Sequence, residues 1–497
     1  MIESRLSRFT QRVGRRTFVA RVLLDRLVCL TAHKRFDLDQ CIQTRAASRA
    51  ALCRCTVFVA GHRSMLTHRA RQTGGYGMIA RMTTVVSTRS TGQSIWLVLI
   101  AGCLAVPVAA RGSITGLLVA FGFVIWAIMS TVSKMPMLKW TWVFATLWSA
   151  AQAVSNYAHS QYFVTALVYM GITIALFASG LYWIHDKAKI SVALISAATA
   201  VGWIVLKLAT GVLATGNPWK YGLAGPVGIL VVAVAYHFRA SRRTLVILLL
   251  ALTVTSRVFD NRIQTALFAL TAVAVLFSYD DPVRQKRRFK STLAVLCLIV
   301  GLAYALYPVA ASEGAFGTRA AQQQQRDDAN DANYLLSIRK ELPMTAYIAA
   351  QNPVLGIGSY QPISATESSA AVRFVEEFSG PINPSERAYI TGQLDDRTGY
   401  KAHSAAVSSV MFGGLLAAPF WIFLIWVTIR GVLSVLRGNA VLPALVFYMS
   451  GLVVWDALFS PLNANTHLTV GFLLFLLSAG IRQRGLPSIE NRELARA

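Results

Sequence analysis

Long apolar segments alternate with short polar segments along the chain from residue 94 onward. A helix needs about 20 mostly apolar residues to cross the hydrocarbon core of a bilayer. Twelve apolar segments approach that length, and no internal repeat relates them. The predicted spans are approximately 94–110, 113–132, 138–155, 162–184, 189–214, 221–238, 243–257, 262–279, 291–309, 403–429, 439–459 and 465–481. The pattern therefore predicts an all-α polytopic membrane protein with about 12 transmembrane helices.

The composition agrees with this prediction. Hydrophobic residues form 55% of the 497-residue chain, charged residues form 14%, and the mean hydropathy is +0.50. Soluble globular domains carry about 25% charged residues. A soluble protein of this size could not bury so much apolar side chain, so that class is excluded.

The distribution of positive charge predicts the orientation of the spans. A formal net charge of +26 would suit a nucleic-acid-binding protein. However, one set of alternate short connections carries sixteen basic residues and the other carries four, and basic residues accumulate in cytoplasmic loops. The richer set is Lys134, Lys139, Lys187, Lys189, Arg239, Arg242, Arg243, Arg284, Lys286, Arg287, Arg288, Lys290, Arg430, Arg437, Arg482 and Arg484, and the poorer set is Arg111, Lys220, Arg257 and Arg262. The richer set and both termini are predicted to be cytoplasmic, and no nucleic-acid partner is predicted.

Residues 1–93 form a basic N-terminal extension without an apolar segment long enough to span a bilayer. Residues 1–94 contain 16 Arg and one Lys against four acidic residues. Three interpretations are open: a disordered tail on the anionic cytoplasmic leaflet, an Arg-rich organellar transit peptide, or upstream sequence read from a mis-assigned start. We favour the third, with Met78 or Met82 as the start, and leave the extension out of the fold prediction.

A hydrophilic segment of about 93 residues, 310–402, separates predicted spans nine and ten. The alternation of the connections places it outside the cytoplasm, and its apolar stretches and turn signals predict a partly helical loop. Loops of this length are usually functional. The sequence is thus divided into spans one to nine (94–309), a large outer loop (310–402), spans ten to twelve (403–481) and a cytoplasmic tail (482–497).

The outer turn between predicted spans seven and eight contains Arg257 and Arg262, with Asp260 between them. The apolar run 244–255 would be about 18 Å long as a helix, whereas the hydrocarbon core is about 30 Å thick. The turn is therefore predicted to lie below the outer surface. The arginines either snorkel to lipid phosphates, one of them paired with Asp260, or bind an anionic substrate through the bidentate guanidinium. Arg262 is our first choice, although spacing alone does not separate the two.

Two further candidates border the large loop. Arg339 precedes an apolar stretch and the segment Gln351-Asn-Pro-Val-Leu-Gly-Ile-Gly358, whose glycines allow positive φ or a close backbone approach. His403 begins predicted span ten, with Val407 and Gly414 on the same helical face. Arg339 is either a solvated helix residue or an anion-binding residue. His403 is either an interfacial residue bonded to backbone or a general base, since imidazole titrates near neutral pH.

Three of these stretches together resemble the O-antigen ligase family, which includes O-antigen and exopolysaccharide polymerases. Asn261-Arg262, followed by an apolar run, resembles the family's arginine that opens a helix on the periplasmic side. Arg339 and the segment that ends at Gly358 resemble the family's loop arginine and its NPxxGxG element. His403-Ser404 and the Gly-Gly-Leu-Leu that follows at 413–416 resemble its HNxxLxxLxxxGLLG element, with Ser404 in place of the usual Asn. The resemblance covers about residues 240–430.

The resemblance implies a metal-independent glycosyltransferase of the bacterial inner membrane, without a cofactor, whose active site faces the periplasm. Its donor would be a glycan on undecaprenyl diphosphate, and its acceptor would be a lipid A–core sugar. By this resemblance, His403 is catalytic, while Arg262 and Arg339 bind the donor. Arg257 is a further candidate, because two arginines crowd a helix entrance where the family pattern has one.

Two alternative functions remain open at this point. A polymerase of the same family would use the same residues but would take another lipid-linked glycan as acceptor. A polytopic transporter or flippase for lipid-linked glycans would suit twelve spans. Transporters, however, usually show repeats and polar groups at mid-depth, whereas the polar candidates here gather at one face.

Overall fold

The structure is a computed structural model that describes residues 135–159, 166–277, 282–314, 341–359, 363–379, 403–462 and 465–485, with a few further isolated positions. Its helices are α1 (Pro136–Ala158), α2 (Ala166–Ala188), α3 (Val192–Ala209), α4 (Ala224–His237), α5 (Arg242–Val258), α6 (Arg262–Leu276), α7 (Pro282–Ser312), α8 (Glu341–Gln351), α9 (Ala365–Ser379), α10 (Ala405–Gly413), α11 (Ala418–Leu436), α12 (Pro443–Phe459) and α13 (Thr466–Gly485). A π-helical turn (Trp219–Leu223) leads into α4, and a 3-10 turn (Leu415–Ala417) leads into α11. Within the described ranges no β-strand occurs, which confirms the all-α class for that part of the chain.

Four helical segments of the described chain are long and apolar enough to cross a membrane: Val192–Ala209, Trp219–His237, Arg288–Ser312 and Leu415–Leu436. On α7, the side chains of Leu298, Leu302 and Leu306 recur every four residues and are exposed, which forms an apolar stripe along one face. A long exposed apolar stripe is typical of a helix that faces lipid. Predicted spans one and two, and the extension 1–93, lie outside the described residues, so the total of twelve spans remains a prediction.

The described parts of the large loop are partly helical, as predicted. Helix α7 continues to Ser312, and α8 and α9 follow within 310–402. The buried side chains of Met344 and Ile348 join α8 to the core of the bundle. The described part of this loop is therefore packed against the helix bundle and does more than connect two helices.

Polar caps determine where α5 and α6 begin, because the first backbone N–H groups of a helix lack partners within it. The Ser241 hydroxyl accepts a hydrogen bond from the Thr244 N–H (3.2 Å), and the Asn261 side chain accepts one from the Gln264 N–H (3.3 Å). Arg262 is consequently the first helical residue of α6. Asn261 is thus the N-cap of α6, and Arg262 places a positive charge at the N-terminus of that helix.

Two contacts bring three basic connections to one end of the helix bundle. The Ala444 N–H, at the start of α12, donates to the Tyr236 hydroxyl in the last turn of α4 (3.1 Å). The guanidinium of Arg437, directly after α11, lies 5.2 Å from the ring centroid of Phe289 near the start of α7. We call this end, comprising residues 238–242, 282–290 and 437–443, the basic end. All three connections belong to the set predicted to be cytoplasmic.

The opposite end of the bundle carries both His403 and Arg262, and we call it the His403 end. Helix α12 leaves the basic end and is about 25 Å long, and Pro461, just beyond its last residue, pairs with His403 in an isolated backbone bridge. Helix α6 leads to the start of α7 at the basic end, so it runs antiparallel to α12 and begins at the His403 end. The Tyr448 hydroxyl of α12 donates to the Gln264 side chain of α6 (2.5 Å), which makes the two helices direct neighbours.

The prediction of one continuous span over 403–429 is wrong. Helix α10 ends at Gly413, and Gly414 adopts φ +71° before the 3-10 turn and α11. His403 precedes α10, so His403, Val407 and Gly414 do not share one face of a single helix. The reason is tertiary: the segment that follows α8 packs into the break, as described below.

Candidate active site

His403 is anchored to the end of α12 by its backbone and its ring. Its backbone pairs with Pro461, and its Nδ1 atom lies 3.3 Å from the carbonyl oxygen of Phe459. The next residue, Ser404, is buried at φ +84°, where its hydroxyl donates to the Ala457 carbonyl (2.7 Å) and accepts from the Val407 N–H. These hydrogen bonds stabilise a backbone conformation with positive φ that residues other than glycine rarely adopt. The imidazole is therefore fixed in place and still about one-fifth exposed.

A carboxylate from the large loop approaches the other side of the same ring. Glu341 is the first residue of α8, and its Oε1 atom lies 3.9 Å from His403 Nε2. This distance exceeds a direct hydrogen bond of about 2.7–3.2 Å, so Glu341 acts on Nε2 through its charge. The arrangement supplies a base whose protonated form would have a nearby counter-ion.

The glycine-containing segment after α8 fills the break between α10 and α11. The N–H groups of Ile357 and Gly358 donate to the carbonyls of Met411 (2.8 Å) and Phe412 (3.1 Å), and the Leu415 N–H donates to Pro353 (2.8 Å). Gly356 and Gly358 both have positive φ, of 68° and 76°. The predicted roles of these glycines in positive φ and close backbone approach are confirmed. Two of the three stretches that carry the family resemblance therefore contact each other.

Polar residues near the end of α1 hold this segment from the opposite side. The Ser359 N–H donates to the Asn156 side chain (2.7 Å), and the Gln152 side chain donates to the Ser359 hydroxyl (2.5 Å). The Ser155 hydroxyl donates to the Phe412 carbonyl (2.7 Å), which already accepts from the loop. All these side chains are buried, so unpaired polar atoms would be costly and the loop position is strongly specified.

A second cluster at the His403 end contains two cations around Asp260. Lys220 Nζ lies 3.0 Å from Asp260 Oδ2, and Arg262 Nε lies 3.5 Å from Asp260 Oδ1. Arg262 Nη1 also donates to the Tyr307 hydroxyl of α7 (3.4 Å). Partial burial would raise the pKa of Asp260, but hydrogen bonding and attraction from Lys220, and then from Arg262, outweigh it and keep that pKa below its usual value. Arg262 is therefore the arginine that pairs with Asp260.

The remaining predicted residues are Arg257 and Arg339, and the structure describes only the first. Arg257 lies exposed in the last turn of α5, whereas Arg262 begins α6 after the connecting turn. Arg339 lies outside the described residues, two positions before Glu341 in the sequence. Asp456, in the last turn of α12, takes side-chain hydrogen bonds from Ser460 and Thr469.

Sequence reasoning missed two charged residues of the site. Lys220 was counted only as one of four outer basic residues, and the available signal was its position beside Asn217-Pro218, a turn that opens an apolar helix. Glu341 was not selected, although it lies two residues after Arg339. No local sequence pattern shows that Lys220 contacts Asp260, because the two residues are 40 positions apart. The same is true of Glu341 and His403.

Among the described residues, His, Cys, Asp and Glu side chains form no group of three that could hold a metal ion. The independence of metal ions stays a prediction that requires its own experiment. Comparison with known protein families finds no family model that matches this chain, and comparison with curated proteins finds no match either. Function must therefore be argued from the site itself.

Proposed function

We propose that this chain is a membrane glycosyltransferase that moves a glycan from undecaprenyl diphosphate to an acceptor sugar, as an O-antigen ligase does with lipid A–core. In this proposal, twelve transmembrane helices cross the bacterial inner membrane, both termini are cytoplasmic, and the segment 310–402 is a periplasmic loop. The His403 end then faces the periplasm.

One observation carries the proposal: His403 and the Lys220–Asp260–Arg262 cluster share one end of the bundle, opposite the basic end. A transfer from a lipid diphosphate to a sugar hydroxyl needs a base for the hydroxyl and cations for the leaving diphosphate. Both kinds of group project from neighbouring helices at this end. The placement supports a reaction between two lipid-linked substrates at one membrane face.

The chemistry assigns a role to each side chain. His403 Nε2 accepts the proton of the acceptor hydroxyl while the oxygen of that hydroxyl bonds to the anomeric carbon of the donor. The bond between that carbon and the diphosphate oxygen breaks, and the bonding electrons leave with the diphosphate. Arg262, together with Arg339, stabilises the developing negative charge, and Arg257 is the second candidate at the same turn. The proton on His403 is later released to water.

A transfer assay with purified protein tests this function. His403→Ala should reduce turnover by about 10²–10⁴-fold while leaving donor binding nearly intact, which is the usual scale for loss of a general base. His237→Ala is a matched control, because His237 is an exposed histidine in the last turn of α4, next to the basic end. A chelator should not change the rate. A fully active His403→Ala protein, or abolition of activity by the chelator alone, would refute the mechanism.

The lipopolysaccharide ladder of a deletion strain separates the candidate acceptors. Loss of all ladder bands with accumulation of the lipid-linked glycan indicates a ligase. A ladder reduced to a single added repeat indicates a polymerase. An unchanged ladder counts against both and points to another glycan or to another class of protein.

A further inference from the structure

The two turns that carry Lys220 and Asp260 are held together independently of their ion pair. The Asn217 side chain donates to the Phe259 carbonyl (2.6 Å), and the Trp219 ring N–H donates to the Ser256 hydroxyl (3.1 Å). The rings of Trp219 and Phe259 lie 6.0 Å apart between centroids. The turns would therefore stay together if Lys220 released Asp260.

The ion pairs of Asp260 lie at the surface. The side chains of Lys220, Arg262 and Asp260 are 38%, 34% and 51% exposed. With the His403 end facing the periplasm, as in the proposed function, pairs of this exposure contribute little to stability, because water solvates both charges. Asp260 is thus a replaceable counter-ion for the two cations.

A phosphate ligand would compete well for these cations. A diphosphate carries at least two negative charges and several acceptor oxygens, whereas the Asp260 carboxylate carries one charge. Guanidinium and ammonium groups form strong charge-assisted hydrogen bonds with phosphate oxygens. Lys220 also extends from a π-helical turn, a local structure that often occurs at functional sites.

We propose that Lys220 and Arg262 form a two-cation seat for a phosphate group, and that Asp260 occupies this seat until the phosphate ligand displaces it. The proposal rests on the proposed function for the identity of the ligand, the diphosphate of a lipid-linked glycan. The same phosphate chemistry could come from an anionic lipid headgroup, which the experiment distinguishes.

The test measures binding of undecaprenyl diphosphate to the full-length protein in neutral-lipid nanodiscs. Lys220→Ala should weaken binding about tenfold, because it removes a charge-assisted contact. Asp260→Asn, which keeps the size and removes the competing charge, should tighten binding about threefold or more. Asp186→Asn is the control, since Asp186, near the end of α2, pairs with Lys189 (3.4 Å) away from Lys220 and Arg262, and it should leave binding unchanged.

Melting temperatures within about 2 °C of the unmodified protein would show that these surface variants are folded. Equal weakening by Asp260→Asn and Lys220→Ala would overturn the proposal, because Asp260 would then orient the cations rather than compete for them. No response to either variant would overturn it as well.

A parallel series in phosphatidylglycerol nanodiscs distinguishes the two phosphate sources. If phosphatidylglycerol shows the pattern and undecaprenyl diphosphate does not, the seat stands as a lipid-headgroup site and the proposed glycosyl transfer loses its support. Because binding is measured without turnover, absence of transfer with the expected binding pattern would refute only the proposed function.

Discussion

Glu341 Oε1 lies 3.9 Å from Nε2 of His403, while the carbonyl oxygen of Phe459 lies 3.3 Å from Nδ1 of the same ring. A carbonyl oxygen only accepts hydrogen bonds, so Nδ1 carries a hydrogen atom in this arrangement. Nε2 is then the atom that gains or loses a proton. That atom faces the Glu341 carboxylate.

The Glu341→Gln variant should slow transfer, because it removes the counter-ion beside the nitrogen that takes the proton. A carboxylate about 4 Å from Nε2 stabilises the positive charge that the ring gains when it accepts the proton, whereas a neutral amide does not. Loss of this stabilisation should lower kcat about tenfold.

Steady-state transfer kinetics check this prediction, with Glu376→Gln as the control. Glu376 pairs with Arg387 (2.9 Å) in the same loop and should not alter kcat. An unchanged kcat in the Glu341→Gln variant would show that the carboxylate does not act on His403.

The two arginines of the outer turn should differ in importance. Arg262 is held by Asp260 and Tyr307 at the start of α6, whereas Arg257 is exposed on α5. Arg262→Ala should therefore raise KM for the donor and lower kcat, with a combined loss of about 10–100-fold. Arg262→Lys should restore only part of the activity, because an ammonium lacks the bidentate fork.

Arg257→Ala is the internal control for this prediction and should change kcat/KM much less. Arg339→Ala should behave as Arg262→Ala does. Steady-state kinetics on the purified variants would decide, and a larger loss for Arg257→Ala than for Arg262→Ala would reverse the assignment.

Gly414 should not tolerate a side chain. A Cβ atom there would overlap the Val354 carbonyl oxygen, and the residue has φ +71°. Gly414→Ala should therefore lower the melting temperature by several degrees and reduce transfer, because the segment that brings α8 and Glu341 to the site must move. Gly301→Ala is the control, since a Cβ there meets no described atom within 4 Å beyond its own stretch of α7, and alanine favours a helix. Equal stability of both variants would contradict the packing described here.

The orientation can be tested by cysteine labelling in intact spheroplasts, in a variant whose native cysteines are replaced by serine. Thr366→Cys, at an exposed position in α9, should react with a membrane-impermeant reagent. Arg239→Cys, at the basic end, should react only after lysis, because the basic connections are predicted to be cytoplasmic. The reverse pattern would invert the predicted topology and contradict the proposal that the His403 end faces the periplasm.

The sequence by itself determined where most helices lie. An apolar segment in a membrane must satisfy its backbone hydrogen bonds internally, so its length and polar caps determine the helix. The apolar run that begins at Arg262 accordingly forms α6, and the apolar run that ends at Phe459 forms α12. The resemblance motifs also selected His403 and Arg262, and the structure places both at one end of the bundle.

The break at Gly414 was decided only by the tertiary structure. The apolar pattern continues across 403–429, and hydrophobic periodicity does not register a backbone turn that a distant segment imposes. The carbonyl of Val354 and the hydrogen bonds to Pro353 and Phe412 require that turn. The tertiary structure alone also decides which charged groups lie together. Asp260 contacts Lys220, and His403 lies near Glu341, because packing brings distant helix ends together. No local sequence pattern encodes that proximity.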